Sequence, residues 1–150
     1  LWFSNDHDGV VVQDGRLLSF SSDDLLCQFA AQARLVLAGE TPRLHDLDSV
    51  QAWLLRPHRD TIDCSAKLGA WNLFDDIARS LPTAGAGFSV FATGLDDIYE
   101  KLFFGNNLPA VTPEGEHYEP GWSDDEVTAL VAILDRGLQL FRLVRQEVAA

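Results

Sequence analysis

The 150-residue chain has no methionine, two cysteines, and only 11 basic residues against 23 acidic ones. Since translation starts at methionine, its absence predicts that the first residues of the gene product are missing from this sequence. No apolar run approaches the roughly 20 residues of a membrane-spanning helix. The first residues also lack the basic segment and long apolar core of a signal peptide. We therefore expect neither a membrane span nor a signal peptide in this stretch.

The shortage of lysine and arginine leaves a formal net charge of −12 at pH 7. Nucleic acid phosphates and anionic membrane surfaces are both bound by basic side chains, so we expect neither as a partner. The acidity favours a basic partner, or it serves only to keep the chain soluble. The length and the 47% hydrophobic content are typical of one globular domain over residues 1–150.

Two cysteines are a poor disulfide framework. Cys27 lies in LLCQFAA and Cys64 in IDCSA, both among apolar neighbours. Buried free thiols in a reducing compartment are favoured over a single bridge between them. We therefore expect a cytoplasmic protein.

Turn and capping signals predict an α+β domain, in which a short antiparallel sheet of N-terminal hairpin strands packs against about four to five helices. Residues 1–4, 10–12 and 17–20 are strand-like, and Asp14-Gly15 is typical of a two-residue hairpin turn. The final helix is the clearest, because Ser123 and Glu126 form a capping box and Trp122 and Val127 a hydrophobic staple.

The remaining helices follow from apolar spacing and stop signals. They are predicted over about 22–38 with Ser21 as N-cap, over 49–56 with Asp48 as N-cap, over 65–81, and through Phe104 with Thr93 as N-cap and Asp96 three residues on. The apolar stripe of the final helix reaches Val148. Gly85 and Gly87 predict a loop before a strand over 88–93, and residues 105–122 form a long loop rich in proline and glycine.

Catalytic motifs are weak throughout the chain. His58-Arg59-Asp60 copies a kinase catalytic-loop tripeptide, but Ser65 stands where the metal-binding asparagine belongs. The four histidines are never three or four residues apart, so no helical metal pair exists. We expect no catalytic residue, metal or cofactor. The enzymatic alternative is a metal-dependent hydrolase that uses Asp6, His7 and Asp8 with carboxylates from elsewhere.

The negative charge is concentrated in one region. Residues 60–126 carry 13 acidic and three basic side chains, a net charge of −10, whereas the last 24 residues carry two acidic and three basic. Acidic groups beside aromatic rings are typical of interfaces where charge steers the encounter and rings are buried. The alternative is a solvated acidic face with its rings in the core.

The interface interpretation selects nine contact residues. Asp75, Asp76, Asp97 and Glu100 belong to two helices, and Glu114, Glu116, Tyr118, Glu119 and Trp122 to the long loop. Asn106 and Asn107 are expected to be exposed beside them. Helical spacing from Tyr99 favours core positions for Phe103 and Phe104.

Three stretches resemble a known family: 14–20 (DGRLLSF) running into 22–26 (SDDLL), 62–81 (IDCSAKLGAWNLFDDIARSL), and 99–113 (YEKLFFGNNLPAVTP) leading to 122–126 (WSDDE). Together they are similar to the immunity proteins of bacterial contact-dependent growth inhibition and related polymorphic toxin systems. The resemblance implies a cytoplasmic protein without enzymatic activity that binds the C-terminal toxin domain delivered by a neighbouring cell.

Toxins of such systems are frequently nucleases with basic active-site clefts, which an acidic protein would block. The family has no fixed binding residues, so the contact residues above depend on charge and loop position alone. The remaining alternative is an acidic adaptor for another basic partner.

Overall fold

The computed structural model describes residues 1–3, 9–39 and 42–148, with the backbone alone for residues 147 and 148. In this part of the chain the elements are strands β1 (Trp2–Phe3), β2 (Gly9–Val10), β3 (Val12–Gln13) and β4 (Arg16–Phe20), helices α1 (Asp23–Gln32), α2 (Leu47–Leu55), α3 (Cys64–Ser80), α4 (Pro82–Ala92), α5 (Asp96–Gly105) and α6 (Asp124–Val144), and strand β5 (Arg145–Val148). A 3₁₀ helix at Arg59–Thr61 precedes α3. The α+β class is confirmed, with six α-helices over these residues instead of four or five.

The N-terminal hairpin forms where the turn signal predicts it. Strands β3 and β4 pair antiparallel, and the turn residues Asp14 and Gly15 both have positive φ, at 51° and 73°. Two positive φ angles match the twist of the flanking strands, which is why Asp-Gly is favoured there. Strand β2 pairs with β1 in a separate two-stranded sheet.

The C-terminal strand β5 is absent from the predicted elements. It pairs parallel with β4, with Leu17 opposite Arg145 and Phe20 opposite Val148, so the sheet order is β3-β4-β5. The predicted helical stripe through Val148 is therefore wrong, because α6 ends at Val144. The free edge of β4 supplies hydrogen-bonding partners that local helical periodicity does not reveal.

Helix α1 is shorter than the predicted 22–38. It ends at Gln32 because Arg34 adopts a positive φ of 57°, and the Leu35 N–H then donates to the Ala30 carbonyl at 2.8 Å. This bond closes a Schellman motif without glycine. The N-cap is Ser22, whose side chain accepts from the Leu25 N–H, so the assignment to Ser21 is wrong.

The strand predicted over 88–93 is wrong, since Pro82–Ala92 is helix α4. Pro82 occupies the first turn, where its missing N–H costs nothing. Gly85 is buried, and a Cβ there would overlap the backbone of Ala78 in α3. Glycine at this position therefore allows close helix packing and does not mark a loop.

Two further caps differ from the predictions. Helix α2 is capped by Asp46, whose carboxylate accepts from the Ser49 N–H at 2.9 Å, so Asp48 lies inside the first turn. Helix α5 begins at Asp96 without a side-chain cap, and Thr93 instead bonds the Ser89 carbonyl at the end of α4. These two predicted helix starts lie within three residues of the observed ones.

Helix α3 lies at the centre of the molecule and packs against α4, α5 and α6. Its apolar side chains are largely buried, including Trp71, Phe74 and Ile77. The helix is apolar around most of its circumference, and so broad an apolar surface has to be covered by neighbours on several sides. Within the described residues, no helix combines the length and the apolar character needed to cross a membrane.

Both cysteines are free thiols, as predicted. Cys64 is buried, but Cys27 is exposed, so its predicted burial is wrong. Helix α1 buries only Ala30, because it packs on one side against β4. The apolar neighbours of Cys27 therefore do not enclose it.

Candidate partner-binding surface

The three basic side chains of the acidic region make contacts within the protein. Lys101 Nζ donates to Glu126 Oε1 at 2.6 Å and to the Gly121 carbonyl at 2.9 Å, and it lies 5.7 Å from the centroid of the Trp122 ring. The hydrogen bond from Lys101 and a second one from the Ser123 N–H hold the pKa of the Glu126 carboxyl below its ordinary value. Lys101 therefore joins α5 to the start of α6 and is not free to balance other acids.

Lys67 is buried and lies with its Nζ 5.2 Å from the centroid of the Trp53 ring. Burial lowers the pKa of its ammonium group. Arg79, the third basic residue, pairs with both Asp75 and Asp76.

Asp75 and Asp76 therefore differ from the other predicted contact residues. Asp76 also accepts a hydrogen bond from Trp2 Nε1 at 2.6 Å, and burial raises the pKa of the Asp75 carboxyl despite the nearby Arg79. Both line a cleft of about 590 Å³ beside Tyr99. The single guanidinium of Arg79 balances one of their two negative charges.

Six other acidic residues remain exposed on α5 and the long loop. Asp96, Asp97, Glu100, Glu114, Glu116 and Glu119 are all exposed. Over the described part of the chain, none of them pairs with a lysine or arginine, and only Glu119 lies near a histidine, with its Oε1 3.8 Å from His117 Nε2. Much of the uncompensated charge of the region is therefore located here, while Asp60, Asp63 and Asp125 are further exposed acids that pair with no lysine or arginine among the described residues.

Exposed aromatic rings lie among these acids. Phe104 is 45% exposed and Tyr118 is 42% exposed, with ring centroids 6.4 Å apart in an edge-to-face arrangement. Phe103 is half-buried against the core, so the predicted core position holds for Phe103 and is wrong for Phe104. Adjacent helical residues point about 100° apart, so α5 buries one ring and presents the other.

Two neighbouring clefts share Phe104 and so connect the helix to the loop. The first, of about 360 Å³, is lined by Asp96, Tyr99, Glu100, Phe103 and Phe104. The second, of about 270 Å³, is lined by Phe104, Val111, Thr112, Pro113, Glu116, His117 and Tyr118. We define the acidic–aromatic surface as Phe104, Val111 and Tyr118 with the acids Asp96, Glu100, Glu114, Glu116 and Glu119. Of these acids, Asp96, Glu100 and Glu116 line the clefts, and Glu114 and Glu119 are neighbours of the second cleft in the loop sequence. Asp97 lies on the same helical turn as Asp96, lines neither cleft and is not included.

Trp122 does not belong to this surface. It is 9% exposed and part of the core, so its predicted role as an exposed anchor is wrong. Trp122 directly precedes Ser123, whose side chain accepts from the Glu126 N–H while Glu126 accepts from the Ser123 N–H, which confirms the capping box. An apolar residue in this position packs back onto the helix, which explains its burial.

The long loop is held in one shape by its own polar groups. Asn107 has a positive φ of 50° and bonds Tyr118 twice, through its Nδ2 to the Tyr118 carbonyl at 3.0 Å and its Oδ1 to the Tyr118 N–H at 2.7 Å. Asn106 and Asn107 are half-buried, so their expected exposure is wrong. These hydrogen bonds therefore hold the loop in a conformation that places Tyr118 beside Phe104.

Carboxylates beside exposed rings can contact basic and apolar groups of a partner. Among the described residues, no group of three or more histidine, cysteine, aspartate or glutamate side chains is placed to hold a metal ion. Asp6, His7 and Asp8, named for the enzymatic alternative, lie outside the described residues. Cys64 lines a cleft with His117, but burial raises the pKa of its thiol and disfavours the nucleophilic thiolate.

The sequence-based prediction missed Phe104 and Val111 as surface residues. Val111 is 43% exposed in the loop. An isolated valine within the loop sequence LPAVTP is a usable signal, since apolar residues in polar loops either dock on the core or stay exposed. Only the fold distinguishes these two outcomes.

Comparison of the chain with protein-family models, curated proteins and solved structures found no match. Any functional conclusion therefore depends on the surface itself.

Proposed function

We propose that this chain is an immunity protein, which binds a basic toxin domain through the acidic–aromatic surface and neutralises it without performing a reaction. The observation that carries the proposal is the concentration of uncompensated carboxylates around exposed rings. Because these carboxylates lie near the same exposed rings, one partner could contact them together.

The charge suits a partner built to bind phosphates. A nuclease cleft is lined by lysine and arginine, and five carboxylates on one surface present a complementary field. Such fields accelerate association up to about 10³-fold, and the effect falls as salt is added. Rapid capture matters for an inhibitor of a toxin that acts as soon as it enters the cell.

The exposed rings of the acidic–aromatic surface supply apolar contact, which the carboxylates alone do not provide. Rim charges mainly set association rate and specificity, whereas buried rings contribute most of the binding free energy. Phe104 and Tyr118 are exposed and line clefts that also contain Asp96, Glu100 and Glu116, and an interface commonly combines an apolar core with a polar rim. The proposal places the protein in the cytoplasm, where an immunity protein meets its toxin.

A triple charge reversal tests the proposal. The variant Glu114→Lys, Glu116→Lys, Glu119→Lys is compared with wild type for binding to the inactivated C-terminal domain encoded immediately upstream of this gene. We expect the association rate to fall at least tenfold at low salt, and protection from the active toxin in growth assays to be lost.

A matched control changes the net charge equally at another place. The variant Asp24→Lys, Asp48→Lys, Asp135→Lys alters exposed residues of α1, α2 and α6 that line neither cleft of the surface. It should bind within about threefold of wild type. Equal losses from both variants would show that net charge alone is responsible. An upstream gene without a toxin domain, or a toxin bound equally well by the first variant, would contradict the proposal.

A further inference from the structure

The loop part of the acidic–aromatic surface contains a pocket whose role is not explained by the charge of the surface. Its volume is about 270 Å³, and Phe104, Val111 and Tyr118 form its apolar walls. Pockets that enclose small-molecule ligands usually measure about 300–1,000 Å³. This pocket is below that range and is suited to a single large side chain.

The pocket is preformed, because hydrogen bonds hold its walls. The Val111 N–H donates to the Leu108 carbonyl at 3.0 Å, and the Glu116 N–H donates to the Pro113 carbonyl at 3.0 Å. Asn107 fixes Tyr118 from the other end of the loop. A site that is already ordered pays less conformational entropy on binding, which favours high affinity from a small contact.

The carboxylates around the pocket indicate which kind of partner would supply that side chain. Glu116 lines the pocket, and Glu119 follows Tyr118 by one residue. Both are exposed, and within the described residues neither pairs with lysine or arginine. An apolar side chain surrounded by basic residues therefore matches both the walls and the mouth of the pocket.

We infer that the pocket receives one large apolar side chain that projects from the basic face of the toxin domain and anchors the complex. This inference rests on the proposed function and specifies how the partner is held. Anchors of this kind sit in desolvated pockets near the centre of an interface, and their loss acts mainly on the dissociation rate.

Filling the pocket tests the inference. Val111→Trp places an indole on the wall of the pocket, and Leu108→Trp is the matched control, because Leu108 is similarly exposed (39% against 43% for Val111) and does not line the pocket. Binding of both variants to the inactivated upstream-encoded toxin domain is measured at several salt concentrations. The thermal unfolding of each variant checks that it folds.

The anchor predicts that Val111→Trp weakens binding at least about 30-fold through faster dissociation, while the salt dependence of the affinity stays that of wild type. Leu108→Trp should stay within about threefold. If Val111→Trp binds like wild type while the triple charge reversal loses binding, the pocket is not an anchor and the proposed function stands. If neither variant changes binding, the surface is not the interface, and both the inference and the proposed contact fail.

Discussion

At the scale of single residues, close contact between the two longest helices depends on Gly137. This glycine is buried in α6, and a Cβ in its place would overlap the ring of Phe74 in α3. Phe74 is itself fully buried, so the ring has no solvent-facing direction in which to move. Glycine at this position therefore lowers the helix propensity of α6 but permits a close approach of the two helices.

Gly137→Ala should lower the free energy of unfolding by about 1–3 kcal/mol, because overpacking a dense core forces side chains from their preferred rotamers. Gly87→Ala is the control: Gly87 is exposed in α4, with nothing within 4 Å of an added Cβ. There alanine should raise the free energy of unfolding by about 0.5–1 kcal/mol through helix propensity. Urea unfolding measures both, and a stabilised Gly137→Ala would contradict the packing described above.

At the scale of elements, the ion pair between Lys101 and Glu126 joins α5, the end of the long loop and the start of α6. Glu126 belongs at once to the capping box and to the ion pair. The start of α6, the Gly121 carbonyl and the Trp122 ring all meet Lys101. The conformation of the loop therefore depends on a carboxylate within the first turn of the next helix.

Glu126→Gln should lower the free energy of unfolding at neutral pH by about 1.5–3 kcal/mol, because a charged hydrogen bond is lost. The folded protein lowers the pKa of Glu126, so this contribution is present above the unfolded pKa of about 4.3 and is lost as the pH falls through the folded value. The difference between variant and wild type should therefore shrink from about pH 5 to about pH 3. Urea unfolding across that range measures it.

Glu100→Gln provides the comparison for this pH series. Glu100 is exposed on α5, and in the described chain it pairs with no lysine or arginine. Its variant should differ from wild type by less than about 0.5 kcal/mol at every pH. A pH-independent gap for Glu126→Gln would show that the ion pair does not stabilise the junction.

Helix ends show how far local sequence predicts these elements. The capping box of Ser123 and Glu126 was predictable because both partners lie within four residues of each other. The end of α1 was not, because Arg34 replaces the glycine that usually adopts a positive φ. Gly85 suggested a loop because its packing partner Ala78 is visible only when α3 and α4 are brought together.

At the scale of the whole molecule, the two ends of the chain meet in one sheet. Strand β5 pairs with β4 along the register from Leu17 with Arg145 to Phe20 with Val148, and Ser19 Oγ donates to the Gln146 carbonyl at 3.1 Å. The pairing covers an edge of β4 that carries the buried Leu17 and Leu18. An uncovered edge is a template for association between chains.

Deletion of residues 145–150 should therefore lower the melting temperature by several degrees and increase self-association. Gln146→Ala is the control, because it keeps the backbone that pairs with β4 and removes only an exposed side chain. Thermal unfolding and analytical ultracentrifugation measure the two effects. A truncated protein that melts like wild type and stays monomeric would show that β5 contributes no stability.

The sequence by itself determined the α+β class, the hairpin at Asp14-Gly15, the start of α6 and the regional excess of acid. Each of these follows from composition or from interactions between residues close along the chain. The exposed glutamates of the loop were also predictable as candidates, because a polar segment between helices lies at the surface.

Only the tertiary structure decided which charges remain uncompensated and which rings are presented. Lys101 of α5 pairs with Glu126 of α6, Trp122 is buried under Lys101, and Phe104 stands exposed beside Tyr118. These outcomes depend on contacts between residues up to tens of positions apart, and periodicity carries no information about such contacts. The acidic–aromatic surface therefore exists only in the fold, although every charge in it is visible in the sequence.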